Sequence, residues 1–454
     1  MSTAKTPKMI IRDMTVGNAM KHILLFAIPI FVGNILQQIY SMVDTMVAGY
    51  NLGENAIAAI GATSSLFALI TDFAVGINSG FGIVLTQKFG AHDKEGFRQA
   101  CAGMIKLNVI IAVIFTALSV TFIRPFLHIM NVPDNIFDQA YTYIIVICAG
   151  MIGTFAYNLF ANILRAVGNS TASLWFLIIS GVVNVLLDII LMAGFRTGVI
   201  GAAIATIVST FVSAIICIIY TLHNYKEMLP GKADFKVPSS ITKDLLSTGF
   251  AMALMYCVVD FGSIIFQSAT NRLGDMYITA HTAARRLIII LMQPLIAVAT
   301  ANSTFIGQNW GAGKYERIRT TIKKVLLLEV IMGLVLCGFV YLTDSFLIKI
   351  TTGTKSPDVI KNGVLSLRIH MPCYAPLGIL FVIRTSLQAM GKKIVPIISS
   401  AMELGIKIIS AIILIPSLGF IGTCITEPVI WVVCMIFLVI SFAVYMNKGL
   451  LKEK

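Results

Sequence analysis

The feature that most constrains this chain is a series of long apolar segments that recurs from one end of the sequence to the other. Three examples are Ile23–Val32, Val109–Phe122 and Val325–Val340. With flanking small residues, each reaches the roughly 20 positions that an α-helix needs to cross a bilayer. Because lipid offers the backbone no hydrogen bonds, a spanning chain must be helical or form a closed barrel. The two-residue alternation of a barrel is absent, so the sequence predicts an all-α membrane protein.

These segments predict about twelve transmembrane helices. In the first half we place them at 22–48, 56–86, 102–124, 138–163, 172–193 and 200–221. In the second half we place them at 245–270, 277–306, 322–344, 359–386, 394–415 and 420–446. Only 12% of the residues are charged, about half the share found in soluble domains. Residues 1–20 are polar and lack a small-residue cleavage site after a hydrophobic run, so we expect no removable signal peptide.

The net charge of +13 is explained by membrane topology. An even number of spans places both termini on one side, and 24 of the 34 Lys and Arg residues lie at the termini or near the loops of that side. Basic residues concentrate in cytoplasmic loops. We therefore predict a multi-pass protein of the cell inner (plasma) membrane with both termini cytoplasmic, and no nucleic-acid partner.

The two halves of the chain repeat one another. Gln87, Gly90 and Ala91 follow the second predicted span, and the same Q-x-x-G-A pattern follows the eighth span, 221 residues later. Because six spans are an even number, the halves have the same orientation in the membrane. The sequence thus predicts two pseudo-symmetric six-helix lobes, 1–222 and 244–454, joined by a polar cytoplasmic linker, 223–243. Two lobes around a central cleft are typical of transporters, whose substrate and ion sites lie near the midplane.

The same motifs resemble those of the multidrug and toxic compound extrusion (MATE) family, in its bacterial branch. The first span carries Gln37, Tyr40, Asp44 and Gly49 in the order of that branch, and the proline of its first helix corresponds to Pro29. Further matching motifs are Gln87–Ala91, Gln308–Ala312, Leu164–Gly168, and Asn184 with Asp188. The resemblance covers essentially the whole chain. It implies alternating access and export of small organic compounds, usually cationic and amphipathic, driven by a proton or sodium gradient.

Polar residues form stripes on two of the predicted spans. Asn34, Gln37, Ser41 and Asp44 share one face of the first span. Ser180, Asn184 and Asp188 share one face of the fifth. A charge at mid-bilayer costs about 2.5–3.5 kcal/mol even on permissive scales, so these stripes must face other helices or water. They could simply hold helices together by hydrogen bonds. A neutral Asn would do that without the desolvation cost, so we interpret the two acids as proton-coupling residues.

The family resemblance implies the remaining site residues. Its first-half site maps onto Gln37, Asp44, Asn184, Asp188 and Thr206. Tyr40 and Ser41 share that cavity in our prediction, as does Asp260 from the seventh span. Pro29 removes a backbone hydrogen bond inside the first helix and predicts a conformational kink there.

Sodium is the alternative coupling ion. The sodium-type branch of the family implies acids on the seventh and tenth helices. The seventh has Asp260, whereas the tenth contains no acid and offers Arg368 and His370 instead. Because half of the pattern is missing, we place protons ahead of sodium.

The roles of several other intramembrane residues stay open at this stage. Glu403 and Lys407 are four residues apart, a spacing that predicts an ion pair. Arg285 and Arg286 could snorkel, pair with an acid, or line a cleft for an anionic substrate. Asp72 and Glu427 could serve either packing or transport. His281 is interpreted as a packing residue.

Other classes of function find less support in the sequence. The chain lacks a phosphate-binding G-x-x-x-x-G-K-[ST] loop, and its six histidines do not group at metal-ligand spacing, so neither an ATP-driven pump nor an enzyme is expected. No cofactor and no metal site are predicted, and we expect a monomer in the lipid bilayer. A lipid-linked precursor flippase of the same superfamily is the alternative transporter, although such proteins usually carry additional spans.

Overall fold

The structure is a computed structural model that describes residues 11–130, 132–353 and 356–449. Within these ranges the secondary structure is helical. The first half contains α1 (Ala19–Leu52), α2 (Glu54–Gly90), α3 (Lys94–Ile129), α4 (Asp134–Ala149), α5 (Met151–Ala166), α6 (Ser170–Asp188) and α7 (Val199–Asn224). The second half contains α8 (Ser239–Thr270), α9 (Asp275–Gly311), α10 (Tyr315–Thr352), α11 (Pro357–His370), α12 (Tyr374–Ala389), α13 (Ile394–Ile409), α14 (Ile415–Leu418) and α15 (Phe420–Gly449).

The predicted membrane spans are confirmed. Within the described residues, eleven continuous helical segments are long and apolar enough to cross a bilayer, and α4 with α5 make a twelfth if the bent pair is one span. The fourth predicted span, 138–163, falls within α4 and α5, which are bent by 43° at their junction. The bend occurs at Gly150, where the side chain of Ile207 occupies the space that a Cβ atom would need. Because Gly150 has no side chain, α7 can approach the bend closely.

The internal repeat is visible in the backbone. Left-handed conformations occur at the same places in both halves, in the pairs Gly53 and Gly274, Gly168 and Gly391, Gly198 and Gly419, and His92 and Gly313. The repeat extends to the helices themselves. After α6 the chain widens into a π-helix at Ile189–Gly194, and the matching segment after α13, Ser410–Leu414, does the same. The duplication therefore includes local irregularities that hydropathy does not reveal.

Contacts divide the described residues into two units. The first contains residues up to Gly17 together with Val32–Ala253, and the second contains Asn18–Phe31 and Leu254 onward. The grouping changes within α1 and within α8. Pro29 lies just before the first change, and α1 continues as a helix through it. The predicted linker contains two short 3-10 turns, Lys226–Met228 and Lys232–Phe235.

A side chain of the loop between α2 and α3 caps α3. Asp93 Oδ1 accepts a hydrogen bond from the Gly96 N–H at 2.8 Å, and Lys88 Nζ lies 3.1 Å from Asp93 Oδ2. The bond from Gly96 and, after it, the bond from Lys88 hold the pKa of Asp93 below 3.8. The ionised carboxylate therefore stabilises the folded chain at neutral pH.

We expect Asp93→Ala to lower the free energy of unfolding by about 1 kcal/mol at neutral pH. The stability from Asp93 is fully present above its unfolded-state pKa of about 3.9, and is lost as the pH falls through the lower folded-state value. The difference from wild type should therefore shrink in strong acid. This difference is measured by thermal unfolding of the detergent-solubilised protein at neutral pH and in strong acid. Asp138→Ala, at an exposed acid of α4, is the control. An equal loss at both pH values would contradict the capping role.

Candidate functional site

In the first unit, α1 and α6 pack side by side with the same chain direction. Gly33 of α1 faces Leu177 of α6, with 3.5 Å between the Leu177 Cδ2 atom and a Cβ built at Gly33. Two turns further along α1, the ring of Tyr40 lies against Gly181, which has no side chain to obstruct it. This parallel register brings the two acids that follow on these helices, Asp44 and Asp188, to the same level.

The carboxyl groups of Asp44 and Asp188 interact directly with each other. Asp188 has no solvent-accessible surface, and neither of its side-chain oxygens accepts a hydrogen bond from any N–H or O–H group among the described residues. The Oδ1 atom of Asp44 is buried in the same way. Two adjacent carboxylates in a buried site repel each other unless a proton or another cation lies between them. Chemically, such a pair can bind a proton or another cation between its carboxyl groups.

The other residues predicted for the first-half site are placed unevenly. Asn184 lies one turn before Asp188, and its buried Nδ2 atom also has no acceptor among the described residues. Thr206 of α7 donates its hydroxyl to the Ala202 carbonyl of its own helix at 3.0 Å. Gln37 and Ser41 lie on exposed positions of α1. Asp260 belongs to the part of α8 that groups with the second unit.

One residue near the pair was not anticipated from the sequence. Tyr143 of α4 is buried, and both Asp44 and Asp188 act electrostatically on its hydroxyl. A phenol hydroxyl is a group that can relay a proton or orient a carboxyl group. Its position in the fourth span offered no signal, because a single tyrosine among apolar residues is ordinary in a membrane helix.

The second unit holds a network of ion pairs. Glu403 contacts Lys407 at 3.0 Å, so the predicted pair is confirmed, and it also contacts Arg384 of α12 at 3.6 Å. Lys407 Nζ in turn donates to the hydroxyl of Ser263 on α8 at 3.0 Å. These side chains are almost completely buried. Both basic residues, Arg384 and Lys407, have Glu403 as an acidic partner.

Two basic residues of the tenth predicted span form ion pairs with acids from other helices. Arg368 contacts Asp344 of α10 at 2.6 Å, and His370 contacts Glu427 of α15 at 3.7 Å. Arg285 of α9 donates to Gln267 at 3.4 Å and acts electrostatically on Glu427. Its neighbour Arg286 is exposed.

A further buried acid was overlooked in the sequence. Glu329 interrupts the apolar segment Val325–Val340 near the middle of α10. It has no accessible surface, and both of its carboxyl oxygens have no hydrogen-bond partner among the described residues. Gly378 of α12 leaves room for it. One acid in an apolar run was itself a sufficient signal.

A duplicated helical membrane fold with ionisable groups inside its spans is typical of transporters, and comparisons with known proteins agree. The MatE family model matches residues 29–190 and 251–413, one stretch in each half. The chain belongs to the MatE family of multidrug efflux transporters.

Relatives and solved structures resemble most of the chain. Probable multidrug resistance protein YpnP of Bacillus subtilis (strain 168) is 26% identical over 84% of each chain. Multidrug export protein MepA of Staphylococcus saprophyticus is 22% identical over 83% of each chain. An outward-facing multidrug resistance MATE family transporter of the MOP superfamily has a TM-score of 0.88 at 22% identity, covering 99% of this chain and 100% of that one. These structures support the fold.

Proposed function

We propose that the protein is a secondary active antiporter that exports small organic compounds from the cytoplasm by alternating access, coupled to inward proton flow. The observation that carries this proposal is the direct interaction of the Asp44 and Asp188 carboxyl groups, in which Asp44 Oδ1 and both oxygens of Asp188 are buried and have no other hydrogen-bond partner among the described residues. A proton shared by the two carboxyl groups removes their repulsion, and its release restores two negative charges.

The same pair accounts for the class of substrate. When it is deprotonated, its negative charge attracts a cationic compound, and when it is protonated that attraction is lost. Gln37, Tyr40, Ser41, Asn184 and Thr206 are the proposed substrate-contacting residues of the first half, and Asp260 of the seventh span is a further proposed substrate-contacting residue. Competition between a proton and a cationic, amphipathic substrate for one acidic site makes the exchange obligatory if the empty site does not change its access.

The available driving force is adequate. Exchange of one proton for one monovalent cation moves no net charge, so the pH gradient supplies the work. One pH unit is worth about 1.4 kcal/mol, so one proton per cycle can sustain a roughly tenfold substrate gradient for each pH unit. Pro29 is the proposed point at which α1 changes its bend between states.

The arrangement in the membrane follows from the repeat and the charge distribution. We propose two six-helix lobes, 1–222 and 244–454, joined by a cytoplasmic linker at 223–243, in a monomer of the plasma membrane with both termini cytoplasmic. The repeated scaffold supports rocking of one half against the other, whereas the Asp44–Asp188 site belongs to the first half alone.

Efflux from proteoliposomes tests this function. The purified protein is reconstituted, a cationic fluorescent dye is supplied, and a pH gradient or a sodium gradient is imposed separately. We expect dye movement against its concentration with the pH gradient only, accompanied by counter-movement of protons, and its loss with a protonophore. Movement with sodium alone would assign sodium as the coupling ion. Failure to move any cationic dye would favour an anionic substrate or a lipid-linked precursor.

A further inference from the structure

The second unit contains a group of titratable side chains that the first-half site does not use. Glu427 of α15 is approached by His370 of α11 and His281 of α9. The equivalent of Glu427 in the first half is Thr206, so the repeat does not supply this group twice. Its members lie in the membrane-spanning region and all belong to one contact unit.

His370 is held in one orientation. Its Nδ1 atom lies 2.7 Å from the Ser366 carbonyl oxygen, an acceptor, so Nδ1 carries a hydrogen and donates it. The other ring nitrogen, Nε2, lies 3.7 Å from Glu427 Oε2. The ring packs edge-on against Trp431, and only 1% of the side chain is exposed. The lone pair of a neutral His370 is therefore at Nε2, next to a carboxyl group.

The other charged and titratable groups around Glu427 come from each helix packed against it. Arg285 and His281 approach from α9, Tyr374 from α12 and Lys407 from α13. Lys407 is already bound to Glu403 and Ser263, and Arg285 to Gln267. These two cations act electrostatically on Glu427, whereas His370 is in ion-pair contact with it at 3.7 Å.

His281 shares the carboxylate at longer range. It is 3% exposed, its ring packs edge-on against Phe266, and its two nitrogens have no hydrogen-bond partner among the described residues. No neighbouring acceptor fixes its orientation as Ser366 fixes that of His370. Two adjacent imidazolium groups repel each other, so only one of the two histidines takes up a charge at a time.

We propose that His370 and Glu427 form a second proton-binding site, located in the C-terminal half. A proton from water binds the Nε2 lone pair of His370, and the resulting N–H donates to the Glu427 carboxylate. Release reverses these steps, with the proton returning to water. Glu427 has 19% of its side chain exposed whereas His370 is enclosed, so in this proposal the proton enters and leaves past Glu427. That this proton contributes to transport rests on the proposed function.

Nitrogen NMR of labelled histidines tests the site without transport. The full-length protein is placed in lipid nanodiscs, and His370→Asn assigns the signal. We expect His370 in the wild type to gain a second ring proton between about pH 5 and 8. In Glu427→Gln, the doubly protonated fraction at about pH 6 should fall at least about threefold, because the negative partner is gone. Glu427→Asp should retain the protonation.

The matched control is Asp358→Asn, the same chemical change at an exposed position of α11. It should leave the His370 signal unchanged. A His370 that stays neutral to about pH 5 in the wild type would overturn the proposal even if Glu427→Gln does not fold. An unchanged protonated fraction in Glu427→Gln would also overturn it. Because the titration needs neither substrate nor gradient, it can fail while proton-driven export succeeds, and the reverse.

Discussion

Asp188→Asn is expected to abolish uphill export while leaving the protein folded. The variant keeps the size and shape of the side chain but cannot exchange a proton, so the site no longer alternates between a neutral and a charged state. Dye accumulation driven by a pH gradient of one unit should fall from the roughly tenfold that one proton per dye molecule supports to no accumulation. Removal of the repulsion between the two carboxyl groups should preserve or raise thermal stability.

Asp44→Asn provides the reciprocal test of the same pair. If the two carboxyl groups act as one proton site, either substitution should remove coupling, and the double variant should be no worse than each single one. The control is Asp138→Asn, which makes the same change at an exposed position of α4. Accumulation in proteoliposomes is measured at several external pH values. An Asp188→Asn protein that still concentrates dye with the wild-type pH dependence would exclude the pair as the coupling site.

The sequence was sufficient to predict the fold because membrane helices are read from hydropathy and the repeat from loop motifs. It predicted the spans and the polar faces of α1 and α6. It could not predict that the two faces meet, since this depends on the register with which Tyr40 fits against Gly181. A stripe defines one face of a helix, while the partner of that face is set by packing between helices distant in sequence.

The second half shows a different limit. The absence of an acid on the tenth span counted against an ion site there, yet Glu427 reaches His370 from the last helix. Spacing rules describe groups on one element and do not detect a pair formed between α11 and α15. The Glu403–Lys407 pair was predicted correctly for the opposite reason, because both residues lie on α13.

The close contact between α2 and α8 in the first unit depends on two glycines. A Cβ atom at Gly80 would lie 2.5 Å from the Thr248 carbonyl oxygen and 2.6 Å from the Gly249 Cα. One turn earlier, a Cβ atom at Gly76 would lie 2.6 Å from the Ala253 Cα. Both obstructions are backbone atoms, which cannot rotate away as a side chain does. Small residues spaced four apart let membrane helices approach in this way.

Gly80→Ala is therefore expected to destabilise the protein by about 3 kcal/mol or more, since the helices must separate to admit one methyl group. Gly61→Ala on the same helix is the matched control, because a Cβ there meets no atom within 4 Å. In that open position alanine should be neutral or stabilising by up to about 1 kcal/mol. Thermal unfolding in detergent compares the two variants with wild type. Equal stability of Gly80→Ala and Gly61→Ala would mean that the α2–α8 contact is not close-packed in the membrane.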